Sequence, residues 1–108
     1  MDEREFMAAA DAELARIEAA LEVASESGGP DFDFETKPGG VIEIEFDNGS
    51  KIILNRHGAA REIWLAAKSG GYHFRLEGGR WLGTRDGEEL MEALSRTMSE
   101  QAGARIAL

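Results

Sequence analysis

Val41-Ile42-Glu43-Ile44-Glu45-Phe46-Asp47-Asn48-Gly49-Ser50-Lys51-Ile52-Ile53-Leu54-Asn55 reads as two strands and the turn that joins them. Apolar and acidic residues alternate strictly over Ile42–Phe46, the period of a strand with one face buried and one face wet. Asn48-Gly49 is a strong hairpin signal, and a type I′ turn with positive φ at both residues is expected there. The hairpin therefore joins Val41–Phe46 to Lys51–Asn55. Its outer face carries Glu43 and Glu45.

The same period extends in both directions. Asp31-Phe32-Asp33-Phe34-Glu35 alternates with its acids outward, which makes a first strand. A further strand is expected over Glu62–Ala67. Gly70-Gly71 then turns into Tyr72–Glu77, and Gly78-Gly79 turns into a short strand at Arg80–Gly83. If Ile63, Leu65, Phe74 and Leu76 face the core, then Trp64, His73 and Arg75 face outward.

Helical spacing flanks this block. Phe6, Ala10, Leu14, Ile17, Leu21 and Ala24 recur every three or four residues. Asp2 is placed as N-cap with Glu5 reaching back, and Ser27-Gly28-Gly29-Pro30 stops the helix, so the spacing predicts a helix over 3–26. Asp86 is the expected cap of a second helix over 87–102, with Glu89 at its third position and Leu90, Leu94 and Met98 inward. Ala104–Leu108 is mildly apolar and is expected to pack back.

Strands joined by short turns form a meander, and two terminal helices can cover only one of its faces. The expected fold is α+β, a two-layer sandwich of two helices on one face of an antiparallel sheet of about six strands, in the order α-β-β-β-β-β-β-α. At 108 residues the chain fits a single domain spanning 1–108. The uncovered sheet face is then a natural docking surface. An outward Trp64 on that face marks a contact site, and partial shielding by a neighbouring loop is the plainer alternative.

Charge is badly mixed along the chain. Residues 1–47 hold fourteen acids against three bases, Arg4, Arg16 and Lys37, for a net of −11. The rest holds seven acids against nine bases, a net of +2, so almost all of the overall −9 lies in the first part. Like charges closer than a Debye length of roughly 8–10 Å cost stability. Glu18, Glu22 and Glu26 follow one another at i, i+4 and i+8, with Asp11 further back on the same helix. Asp31, Asp33 and Glu35 come next on the first strand. Together they form an acidic ridge of hard oxygen donors suited to Fe, Mn, Ca or Mg. No pair of histidines joins them, so any metal keeps several waters and binds weakly. A solvated acidic face serving solubility is the bland reading, and the segregation of charge argues against it.

Several classes of function are excluded or disfavoured. Without cysteine there is no disulfide, zinc–thiolate site, cysteine-ligated cluster or cysteine nucleophile. His57 and His73 have no sequence cue that pairs them with a nucleophile, and the glycine pairs lack a phosphate-loop pattern. Enzyme activity is therefore not expected. The acidic N-terminus resembles neither a secretory signal nor a transit peptide, and no apolar run approaches the ~20 residues of a membrane span. A cytoplasmic protein that binds neither membrane nor nucleic acid is expected.

Asn48-Gly49-Ser50-Lys51-Ile52-Ile53-Leu54-Asn55-Arg56, Ile63-Trp64-Leu65-Ala66-Ala67-Lys68 and Gly70-Gly71-Tyr72-His73-Phe74 closely resemble the central strands of the frataxin family, in its bacterial branch. The resemblance extends from Glu5-Phe6 to Gln101-Ala102-Gly103. It implies iron-responsive regulation of iron–sulfur cluster assembly, with iron donation also proposed in that family. Iron, Fe2+ or Fe3+, would bind weakly to carboxylates at Glu18, Glu22, Asp31, Asp33 and Glu35, with Glu26 a looser candidate. The implied partners are a cysteine desulfurase and the iron–sulfur scaffold assembly. Trp64, Asn55 and Arg56, with outward Glu43, Glu45 and His73, would form the docking face. A monomer is expected, with iron-dependent oligomerisation as an alternative. One departure is that Val23–Pro30 carries a single acid, Glu26, which implies lower iron capacity at that junction. Two other readings stay open: a ferroxidase or iron store, and an acidic adaptor with no metal role.

Overall fold

A computed structural model describes all 108 residues. Helix α1 spans Glu3–Ser25, followed by β1 (Phe32–Lys37), β2 (Val41–Phe46), β3 (Lys51–His57), β4 (Glu62–Ala67), β5 (Gly70–Glu77), β6 (Arg80–Gly83) and α2 (Leu90–Ala102). The six strands pair in chain order β1-β2-β3-β4-β5-β6, each antiparallel to its neighbour. The expected α+β sandwich is the architecture observed. No helix is long and apolar enough to cross a membrane.

The N-terminus of α1 forms as its sequence demands. The Glu5 amide donates to Asp2 Oδ1 at 2.8 Å and the Asp2 amide donates to Glu5 Oε1 at 3.1 Å, a reciprocal capping box. Phe6, Ala10, Leu14, Ile17 and Leu21 of α1 are buried against Ile42, Ile44, Ile52, Leu54, Ile63, Leu65 and Phe74 of the sheet. Leu90, Leu94 and Met98 of α2 complete this layer. Burying each of these larger side chains contributes about 1.5–3 kcal/mol, which fixes which sheet face the helices occupy. Trp81 lies in the core at 4% exposure, edge-on to Phe6. The tail packs back as expected. Ile106 is buried, its amide donates to Ser99 Oγ, and the Leu108 amide donates to Ser95 Oγ.

Three local expectations are corrected. Only Gly49, at φ 84°, is left-handed in the Asn48-Gly49 turn. The Phe46 amide donates to the Ser50 carbonyl and the Gly49 amide to the Phe46 carbonyl, which closes a three-residue loop over Asp47–Gly49 rather than a type I′ turn. Asn48 is not left-handed, and its side chain is engaged: Oδ1 accepts the Ser50 amide and Nδ2 donates to the Gln101 carbonyl. Positive φ at two consecutive turn positions occurs instead at Gly78-Gly79, at 58° and 81°, and at Gly39-Gly40, at 90° and 76°. Gly70-Gly71 is strand rather than turn, since Ala67 pairs with Gly70 and the bend falls on Lys68-Ser69. Lastly, Glu89 and not Asp86 caps α2. The Glu89 side chain accepts the Met91 and Glu92 amides, while Asp86 accepts only from Glu88. A bridge between Leu82 and Glu89 holds Glu89 in an extended conformation, which delays the helix.

An acidic edge beside a stacked aromatic face

The acidic candidates occupy one end of the sandwich. Glu18 is half-buried, while Glu22 and Glu26 are exposed, and Glu26 is the C-cap of α1. No basic residue lies in the last turn of that helix, so Glu22 and Glu26 sit at the negative end of the dipole without compensation. Ser25 at the end of α1 borders an open hollow with Asp31, Asp33 and Asp47. Asp33 and Glu35 also line a second hollow with Glu43 and Glu45. Asp33 stands opposite Glu45 and Glu35 opposite Glu43 in the β1–β2 register. Such directly opposed like charges destabilise a sheet. Glu18 and Glu22 line neither hollow, so the ridge is a run of open oxygen donors rather than one converging cluster. Nowhere do three His, Asp or Glu side chains gather closely enough to enclose a metal ion. The donor set fits a hard cation held loosely with its water.

The charges on this edge are not equivalent. Glu43 is held by Lys37 and by Lys51, the latter at 2.7 Å, and Lys37 lies 3.7 Å from Glu35. Hydrogen bonds from Lys37 and then Lys51 push the Glu43 carboxyl down to about 2. Its charge is thus already neutralised locally. Glu18, Glu22, Glu26, Asp31, Asp33, Glu45 and Asp47 have no ion-pair partner. Asp47 was not among the sequence candidates. Pairing Phe32 with Phe46 places it opposite Asp31, a register that follows once the turn at 38–40 joins β1 to β2.

The open sheet face carries a built aromatic assembly. Trp64 points outward as expected, but both faces of its indole are covered. His57 stacks on one side with ring centroids 3.8 Å apart, and His73 on the other at 4.4 Å, each within 13° of parallel. The Trp64 indole N–H donates to Glu62 Oε1 at 2.8 Å. Arg75 Nε donates to Glu62 Oε2 at 2.7 Å, and His73 Nδ1 lies 3.5 Å from Oε1. Glu62 is 5% exposed. Burial raises its carboxyl, but the Trp64 and Arg75 hydrogen bonds and the neighbouring positive charges outweigh that and hold it below the usual range. His57 and Glu62 were not sequence candidates. The pairing of Glu62 with His57 and of Trp64 with His73 is a matter of strand register that outward alternation alone does not give.

Asn55 lies beside Trp64 in the β3–β4 register and is half-buried. Arg56 does not share this face. Alternation turns it toward the helices, where its guanidinium pairs with Asp11 of α1 at 2.5 Å. It also fills the space over Gly40, which at φ 76° has no room for a Cβ. Arg56 therefore joins α1 to the sheet.

Comparison with known proteins agrees with this architecture. Residues 1–104 match the model of the frataxin-like domain. The chain belongs to the frataxin family. Among curated members, it is 56% identical to the iron–sulfur cluster assembly protein CyaY of Dechloromonas aromatica, covering 100% of this chain and 99% of that one. It is 51% identical to CyaY of Cupriavidus taiwanensis, over 96% of this chain and 93% of that one. Frataxin from Psychromonas ingrahamii superposes with a TM-score of 0.80 at 28% identity, over 99% and 97% of the two chains. A trimeric frataxin from the yeast Saccharomyces cerevisiae, complexed with ferrous iron, superposes at 0.74 with 30% identity, over 87% of this chain and 84% of that one.

Proposed function

We propose that this family member is an iron-responsive, non-enzymatic regulator of iron–sulfur cluster assembly. It holds Fe2+ or Fe3+ weakly through Glu18, Glu22, Glu26, Asp31, Asp33 and Glu35, and it docks on a cysteine desulfurase and its scaffold. The docking surface comprises the acidic edge, with Glu45, and the sheet face around Trp64, Asn55 and His73. Iron here is cargo or signal rather than a resident cofactor. The observation that carries this reading is that the edge acids keep unpaired charge at the negative end of α1, where helix stability favours bases. Family membership supports the assembly role, and the ferrous complex of the yeast relative supports iron as the metal.

Charge of this kind speeds and orients docking more than it tightens it, and salt screens it. Calorimetry with purified desulfurase at two ionic strengths is the test. Affinity should fall as salt rises, and tight binding that ignores salt would contradict the electrostatic part. Fe(II) titration followed by NMR should perturb the end of α1 and β1 selectively. Absence of any perturbation would leave an adaptor without metal, and oxygen consumption above a buffer blank would instead favour a ferroxidase or store.

A further inference from the structure

The two imidazoles on Trp64 are held in different ways. His57 Nδ1 accepts the Ala60 amide at 3.2 Å, so this ring is already committed as a hydrogen-bond acceptor. His73 is 45% exposed on its side chain, and its Nδ1 faces Glu62 Oε1 at 3.5 Å, just outside a good hydrogen bond. From these contacts we propose that His73 is a proton-operated clamp on the docking face, closing on Trp64 when protonated and releasing one face of the indole when neutral. This inference rests on the reading of the Trp64 face as a docking surface, and it adds how that surface is regulated.

The physical steps are short. Imidazole changes charge between pH 5 and 8, the one side chain that ordinarily does so. A proton on His73 Nδ1 turns the contact with the buried Glu62 carboxylate into a charge-assisted hydrogen bond. It also turns the parallel stack on Trp64 into a cation–π contact. Both changes hold the ring over the indole. His57 gains less, because a proton on its Nδ1 costs the Ala60 bond, and it serves as a fixed backstop. The groups facing His73 are Glu62 on β4, Arg75 on its own strand, and Arg85, Asp86 and Glu88, which line a hollow with it beyond β6. The charged group facing His57 is Glu62, its register partner. Glu62 is the one carboxylate within 4 Å of either imidazole. Protonation also adds positive charge beside a surface whose acids seek a basic partner, so the steric and Coulombic effects act in the same direction. Docking weakens as pH falls.

The clamp can be read in the free protein. Across pH 5.5–8 the Trp64 indole N–H resonance should move with the same midpoint as the His73 ring protons. His73→Gln should abolish that movement, and His57→Gln should leave it. A Trp64 resonance that stays still while His73 titrates, or that still moves in His73→Gln, would overturn the clamp. With purified desulfurase, wild-type affinity should drop about threefold more than that of His73→Gln between pH 8 and pH 6, the size of one exposed cation–π contact. Equal drops would overturn the regulatory role. Trp64→Ala separates the two ideas. If it leaves desulfurase affinity unchanged, the docking reading fails whatever the free-protein titration shows.

Discussion

Glu62 accepts the Trp64 indole N–H at 2.8 Å while lying buried on the sheet face that no helix covers. A buried carboxylate on an open face is costly unless its oxygens are satisfied, and here Trp64 and Arg75 take one each. The arrangement fixes the orientation of the indole and gives the two histidines something flat to stack upon.

Glu62→Ala should therefore destabilise the fold by about 1–3 kcal/mol and broaden the Trp64 indole resonance, because two donors lose their acceptor. Glu62→Gln keeps an acceptor for Trp64 and should cost less. The pH dependence has a definite sign. The folded carboxyl titrates below the unfolded one, so its stabilisation is complete above the ordinary carboxylate range and is lost as pH falls through the folded value. Acid denaturation of Glu62→Gln should be less steep below about pH 4 than that of wild type.

Glu13 shows the opposite case. It is buried in the apolar stripe of α1, and its Oε2 has no hydrogen-bond partner. Burial pushes its carboxyl up, Arg16 at 3.6 Å partly offsets that, and Glu89 pushes it further up. A raised folded carboxyl contributes stability only at low pH and loses it as pH rises through the folded value. Glu13→Gln should raise stability at pH 7 by about 1 kcal/mol, or roughly 4 °C in Tm. The gain should vanish near pH 4. A variant less stable than wild type at neutral pH would mean that the Arg16 pair outweighs the desolvation.

Gln101 is the hub that ties the end of α2 to two turns. Its Oε1 accepts the Lys68 amide at 2.8 Å, its Nε2 donates to Ser50 Oγ and the Lys51 carbonyl, and its own carbonyl accepts from Asn48. Gln101→Ala leaves several of these groups unsatisfied in a part-buried site. A loss of about 2 kcal/mol, or roughly 10 °C in Tm by calorimetry, is expected. Iron titration should be unaffected, since Gln101 bonds none of the edge carboxylates.

Residues such as Ile42–Phe46 and Phe6–Leu21 made the layers legible, because period two and period 3.6 each assign a buried face. What stayed hidden was pairing. Whether His57 or Asn55 meets the outer neighbours of Trp64 depends on where the chain turns between β3 and β4, and that loop has no short-turn signature. Arg56 was misplaced because nearness in sequence to Asn55 says nothing about face, and alternation sends it to Asp11 instead. The α2 cap slipped from Asp86 to Glu89 because a strand bridge competed with local helix capping. The acidic ridge was visible as charge, but Asp47 joins it only through register.

The last prediction concerns the purpose of that ridge. Glu18 and Glu22 form an i, i+4 like-charge pair near the negative end of α1, and Asp33 faces Glu45 across two strands. Replacing Glu18, Glu22, Asp31 and Asp33 with Gln or Asn removes repulsion worth a few tenths of a kcal/mol per pair, together with unfavourable dipole contacts of similar size. The fourfold variant should thus melt higher, by about 1–2 kcal/mol in total, while Fe(II) binding and desulfurase affinity both fall. Melting by circular dichroism alongside Fe(II) titration would check the two halves together. A sharp drop in Tm would show instead that these acids hold the fold together, because residues kept for stability cannot be removed with a gain. A stabilised protein that has lost its metal and its partner is the signature of charge retained for binding at a cost to the fold.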